Sequence, residues 1–172
     1  MSNQSFNFRQ FTICQDRCAM KVGTDGVLLG AWAHGGHNIL DIGTGTGLIT
    51  LMLAQRFGKA RLTAVEIDHE AAIQASENVN ASPFAVRVTI VETPIQSFSA
   101  QEKFDAIVSN PPFFTDSLKN PDSQRATARH ADTLPYRELF AAVSDLLAED
   151  GDRKSTRLNS SHSAKSRMPS SA

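Results

Sequence analysis

Three short stretches of the 172-residue chain carry side chains whose types and spacing could do chemistry: LDIGTGTGL at 40–48, VEID at 65–68 and SNPPFF at 109–114. In the first, Gly43, Gly45 and Gly47 let the backbone turn tightly and approach a ligand without Cβ clashes, and the helix that follows adds unpaired N–H groups. A dinucleotide-binding loop needs the spacing Gly-x-Gly-x-x-Gly, and a P-loop needs Gly-Lys-Ser/Thr, so neither fits. Asp41, just before the loop, would repel a pyrophosphate and favour a cationic ligand. Glu66, 25 residues further on, ends the next apolar run, where a carboxylate can accept hydrogen bonds from both hydroxyls of a ribose. Taken alone, Glu66 also reads as a surface carboxylate at a strand end. In the third stretch, Pro111 and Pro112 each fix φ near about −65°, and Pro111 restricts Asn110 to extended geometry. An amide is thereby held rigidly beside Phe113, a flat apolar face. The same four residues also read as a strand-to-loop turn with a core aromatic.

These residues need a scaffold, and the surrounding pattern supplies one. Residues 39–41, 62–66, 88–91 and 105–109 are short apolar runs with β-branched bias and read as strands. Ile49, Met52, Leu53 and Phe57 form one apolar helical face over 48–57, and Ala72, Ala75 and Val79 do so over 69–80. An earlier helix is expected over about 25–33, capped by Thr24 or Asp25, and a later one over about 136–149, with Gly151 as its stop. There Leu139, Val143, Leu146 and Leu147 share a face. Alternating strand and helix predict an α/β fold, a parallel sheet with helices on both faces in three layers. All three chemical stretches then fall at strand ends.

Composition narrows the class. Hydrophobic residues make up 41% of the chain, and no apolar run approaches the roughly 20 residues needed to span a bilayer. The start, MSNQSFNFRQ, lacks a signal-peptide core, and Cys14 and Cys18 form a lone Cys-x3-Cys without the second pair a zinc site wants. The expectation is a cytoplasmic protein with reduced thiols and no metal. Residues 152–172 hold five Lys/Arg and seven Ser, so residues 1–151 carry a net charge of −5. Bulk charge does not advertise a nucleic-acid partner. Only local clusters could serve one: Arg9, Arg17 and Lys21, or Arg125, Arg129 and His130, which read equally as solvated surface cations. After Gly151 almost nothing apolar remains, and such a segment cannot offset its ordering entropy by burial. It reads either as a natural disordered tail or as foreign sequence on a truncated product; the latter is favoured, because a helix ending in LLAEDG ought to feed another strand.

The glycine loop, Asp41 and Glu66 together resemble the cofactor site of the class I S-adenosylmethionine-dependent methyltransferases. In that family a residue after the third strand, often an acid, contacts adenine; here Pro94 stands in its place, with Glu92 or a nearby backbone group as the substitute. The NPPF stretch resembles the Asn/Asp-Pro-Pro-Tyr/Phe motif of methyltransferases acting on amino groups conjugated to a ring or carbonyl. That resemblance implies that the Asn110 side-chain oxygen and the Pro111 carbonyl accept the two N–H bonds of the amine, that Pro112 adds rigidity, and that Phe113 stacks on the base. The segment FRQFTICQDRCAMKVGTDGVLLGAW, 8–32, resembles the entry segment of the bacterial tRNA1(Val) (adenine-N6)-methyltransferases, and the likeness runs on through SENVNASPFA to about residue 151.

The resemblance implies a Rossmann-like methyltransferase sheet missing its last strands, S-adenosylmethionine as cofactor, tRNA as partner, and a monomeric full-length parent. It further implies that Thr24 and Asp25, with Lys21, pack beside the cofactor site. The expected organisation is an entry segment and helix over 1–35, a partial methyltransferase domain over 36–151 and a tail over 152–172. The fourth strand should then have a bare edge. The motif also serves guanine N2 of rRNA and a glutamine side chain of a protein, and a chain cut short could be an inactive cofactor-binding fragment.

Overall fold

The computed structural model describes residues 4–111 and 136–155. A short antiparallel hairpin opens it, β1 (Ser5–Asn7) and β2 (Thr12–Cys14), which pair Phe6 with Ile13. Helix α1 (Thr24–Trp32) follows, then a sheet built from β3 (Asn38–Ile42), β4 (Arg61–Glu66), β5 (Val88–Glu92), β6 (Phe104–Ser109) and β7 (Leu147–Ser155). Its order is β5-β4-β3-β6-β7 and all four pairings are parallel. Helices α2 (Leu48–Arg56), α3 (His69–Asn80) and α4 (Tyr136–Leu146) occupy the connections.

Sequence alternation along β3 divides the core. Ile39 joins Leu29, Leu51, Leu53, Val79 and Val108 on the face covered by α1, α2 and α3. Leu40 and Ile42 point the other way, onto Ile107, Leu139, Val143 and Leu146 under α4. Both faces of the sheet are thus buried, which is why its strands read as near-continuous apolar runs. The helices have local causes too. Asp68 caps α3 by accepting from the Ala71 N–H at 2.8 Å, and Glu70 lies in its first turn. Arg87 donates to the Ala54, Phe57 and Ala60 carbonyls and so satisfies the end of α2, while Arg56 donates to the Gly30 and Ala33 carbonyls at the end of α1.

Several expectations change. The N-cap of α1 is Gly23, with no side-chain cap, rather than Thr24 or Asp25, which lie inside the first turn. The last helix ends at Leu146 instead of about 149, and Leu147–Ser155 forms a strand beside β6. The fourth sheet strand therefore does not have a bare edge. Backbone pairing explains how so polar a segment finds this place: Ala106, Ile107, Val108 and Ser109 face Asp152, Arg153, Lys154 and Ser155 in register. A register shift between Phe104 and Ala106 absorbs the residues after Leu147. The hairpin 5–14, too short and irregular in pattern to read as strands, is an addition.

Candidate functional site

Register places the chemistry. Ile42 lies opposite Val65 on one side and Ser109 on the other, so Gly43, Glu66 and Asn110 each occupy the next position at the carboxyl ends of three adjacent parallel strands. Between β3 and β6 the strand order reverses, because the chain leaves β3 toward β4 and β5 and returns to β6 on the opposite side. Crevices at such a switch point are where open α/β sheets bind ligands.

The loop after β3 is held from beneath. Gly43 N–H and Thr44 N–H donate to the Val65 carbonyl at 2.8 and 3.2 Å, and Gly45 N–H donates to Glu66 Oε2 at 2.8 Å. All three loop glycines have positive φ, and an ideal Cβ on Gly43 or Gly45 would meet nothing within 4 Å, so open space borders the loop where side chains would otherwise stand. Gly47, at φ 79°, is the N-cap of α2, and an ideal Cβ on it would lie 3.6 Å from Ala75 Cα, a close approach between loop and α3.

Asp41 is 1% exposed. The hydroxyls of Thr44 and Thr50 both donate to its Oδ2, at 2.8 and 2.6 Å, whereas Oδ1 is buried without a hydrogen-bond partner. Burial pushes the carboxyl up to about 6, against the opposing pull of the Thr50 and Thr44 hydrogen bonds, and the Glu66 charge adds to the rise. Glu66, 7% exposed, accepts from Ile67 N–H and Asp68 N–H on Oε1 and from Gly45 N–H on Oε2. A carboxylate has about four lone-pair positions, so one remains on Oε2. The Glu66 charge thus anchors the loop as well as facing the crevice.

On the other side stands Asn110, half-buried, directly after β6, where Ser109 Oγ donates to the Ile42 carbonyl at 2.9 Å and ties the two strand ends together. Helix α1 reaches it: an ideal Cβ on Gly26 would lie 3.1 Å from Leu48 Cδ2 and 3.5 Å from Asn110 Nδ2. The first turn of α1, with Thr24 and Asp25, therefore begins beside both the loop helix and the asparagine. Asp41, the three glycines, Glu66, Asn110 and Pro111 come together at one edge of the sheet; Pro112 and Phe113 lie outside the described residues, as do Phe114, Arg125, Arg129 and His130. Phe11 is core, and Trp32 is 64% exposed.

Other side chains surround this cluster. Cys18 is buried, and desolvation first, then the Glu66, Asp68 and Asp16 charges, push its thiol up to about 11, which keeps it protonated. At the end of β5, Glu92 lies opposite Glu66 and meets His69 Nδ1 at 2.9 Å, which raises the His69 pKa through the hydrogen bond and the charge. Pro94, which follows β5, caps the 3-10 turn Ile95–Ser97. Gln74 and Asn78 on α3 bind the backbone of the entry segment. Sequence reasoning passed over Gln74 and Asn78, whose i, i+4 separation on α3 is a weak signal by itself. Among the described residues no group of three His, Cys, Asp or Glu could hold a metal ion, and no helix is long and apolar enough to cross a membrane. The cluster gathers two carboxylates, an open glycine loop and an amide at neighbouring strand ends.

The methyltransferase small domain family matches residues 22–134. A tRNA1(Val) (adenine(37)-N6)-methyltransferase of Bacteroides thetaiotaomicron is 56% identical over 88% of this chain, which spans 65% of that relative's length. One of the same name from Christiangramia forsetii is 48% identical, with 94% of this chain and 75% of the relative covered. Among solved structures, coclaurine N-methyltransferase bound to N-methylheliamine and SAH shares the fold at a TM-score of 0.54 and 20% identity, over 78% of this chain and 38% of that one.

Proposed function

Because the chain belongs to the methyltransferase small domain family, we propose that it transfers a methyl group from S-adenosylmethionine to the N6 amino group of an adenine in tRNA, in the cytoplasm. The substrate class follows the names of the relatives. The observation that carries the chemistry is the alignment of Gly43, Glu66 and Asn110 at neighbouring strand ends. In this reading the entry segment 1–35 and the partial domain 36–151 act as one unit, and the full-length parent is a monomer.

The residues present fit the cofactor. Asp41 Oδ1 is a buried acceptor suited to a cationic amino group, the last lone pair of Glu66 Oε2 suits a ribose hydroxyl, and the space beside Gly43 and Gly45 admits a ligand against the backbone. Thr24 and Asp25 flank the crevice from α1. Bound there, S-adenosylmethionine supplies a methyl group on a positively charged sulfur. An exocyclic adenine amine is a poor nucleophile because its lone pair is conjugated into the ring. The Asn110 amide oxygen and the Pro111 carbonyl accept its N–H bonds and turn the lone pair out of conjugation, while Pro111 and Pro112 limit the freedom lost on binding. Phe113 is the stacking face in this reading. The amine turns acidic only as it is alkylated, so water takes its proton and no side chain of matched pKa is required.

Asn110→Ala should lower transfer of labelled methyl to tRNA by about a hundredfold or more and leave S-adenosylhomocysteine affinity within about twofold. Unchanged transfer would remove Asn110 from the reaction. Transfer to rRNA guanine or to a glutamine of a release factor, with none to tRNA, would reassign the substrate. The chain spans 65% of the length of the Bacteroides thetaiotaomicron relative, and a second reading is a cofactor-binding fragment; binding of S-adenosylhomocysteine with no transfer to any of the three would establish it.

A further inference from the structure

Asn78 sits near the end of α3, 2% exposed, and its amide bridges two segments distant in sequence. Its Oδ1 accepts from Cys14 N–H at 2.9 Å, and its two Nδ2 protons go to the Cys14 and Thr46 carbonyls, both at 2.8 Å. Thr46 lies between Gly45 and Gly47, both at positive φ, in the part of the loop with the least intrinsic conformational restraint. Glu66 holds this loop at the Gly45 N–H, and Asn78 holds it two peptides later at the Thr46 carbonyl, which fixes the plane of the peptide that carries the Gly47 N–H. Only an amide of this length both accepts once and donates twice from one position: Asp lacks the donors and Leu lacks everything.

We propose that Asn78 is a positioning residue for the glycine loop, coupling the backbone of the entry segment at Cys14 to the loop at Thr46, so that the ligand-facing geometry of residues 43–47 depends on it. The proposal rests on the reading of that loop as the S-adenosylmethionine site only for its consequence on affinity. Gln74, one turn earlier on the same face, supplies the control: its Oε1 accepts from Arg17 N–H at 3.2 Å and anchors the same entry segment, while its Nε2 donates to Glu77 Oε2 rather than to the loop.

The test compares Asn78→Ala and Gln74→Ala in the full chain by amide hydrogen exchange of Gly45 and Gly47 without ligand, and by S-adenosylhomocysteine affinity. Asn78→Ala is expected to speed loop exchange and weaken affinity by about tenfold or more, the effect of a buried carbonyl left without its donor, while Gln74→Ala stays within about twofold on both. Equal effects of the two variants on loop exchange, or none from Asn78→Ala, would overturn the coupling and reduce Asn78 to a purely structural contact. If wild-type chain fails to bind the ligand, the cofactor reading falls while the exchange comparison still decides the role of Asn78. If Asn78→Ala does not fold, Asn78→Ser, with a single donor, is judged by the same exchange criterion.

Discussion

Asp41 has an unusual relation to stability. Its carboxyl is raised in the folded state from its usual 3.8 to about 6, chiefly by burial, so between those values the folded chain binds more protons than the unfolded one. The contribution to stability is therefore greatest when Asp41 is protonated and declines as pH rises through about 4 to 6, on the order of 3 kcal/mol across the window. Asp41→Asn keeps an acceptor for Thr44 and Thr50 but does not titrate. Urea unfolding of both proteins from pH 4 to 7 should show the wild type losing stability relative to the variant, and parallel curves would contradict the buried charge. A cation bound near Oδ1 favours the ionised form, so wild-type ligand affinity should fall as pH drops below about 6. At this scale the sequence was most readable where chemistry is local. The glycine spacing, Asp41, Glu66 and Asn110 follow one another along short motifs, and the sheet brings them to one edge. Thr44 and Thr50 were legible only as loop and helix residues, because nothing in their spacing says that both hydroxyls converge on one oxygen. Gln74 and Asn78 sit on a helix where His69, Glu70, Glu77 and Asn80 are exposed, and burial of two amides becomes visible only once the entry segment is seen lying over them.

Helix pairing explains a second set of constraints. Helices α1 and α2 approach closely because Gly30 has no side chain: a Cβ there would fall 2.6 Å from Met52 Sδ and 3.0 Å from Met52 Cβ. In an open helix Gly→Ala gains about 0.5–1 kcal/mol, but here the overlap with Met52 reverses the sign. Gly30→Ala should destabilise by about 1–3 kcal/mol, read as a lower urea midpoint at unchanged slope, and a raised midpoint would show that Met52 yields freely. Elements were well marked where period and caps agree. Helix α3 runs over His69–Asn80, the span its apolar repeat implies, with Asp68 as cap. Helix α1 was misread at its start because Thr24 and Asp25 are good caps by type, yet Gly23 takes the extended cap geometry and leaves both in the first turn.

On the scale of the whole molecule, β7 decides what the sheet presents to solvent. Its sequence, LAEDGDRKS, lacks the alternation or apolar run that marks a strand, so only backbone pairing with β6 reveals it. A chain ended at Asp150 would lose the paired residues Asp152–Ser155 and leave Ala106–Ser109 with an open ladder. Light scattering after size exclusion should show that shortened chain associating at concentrations where the full chain does not; identical elution would mean that β7 protects nothing. The bonds from Cys14 to Asn78 and from Arg17 to Gln74 span 64 and 57 positions. During synthesis the first twenty residues must therefore wait, without their partners, until α3 has left the ribosome. The entry segment is among the earliest residues made and among the later ones to lock, which gives any factor that grips nascent chains a window on it before it docks on α3.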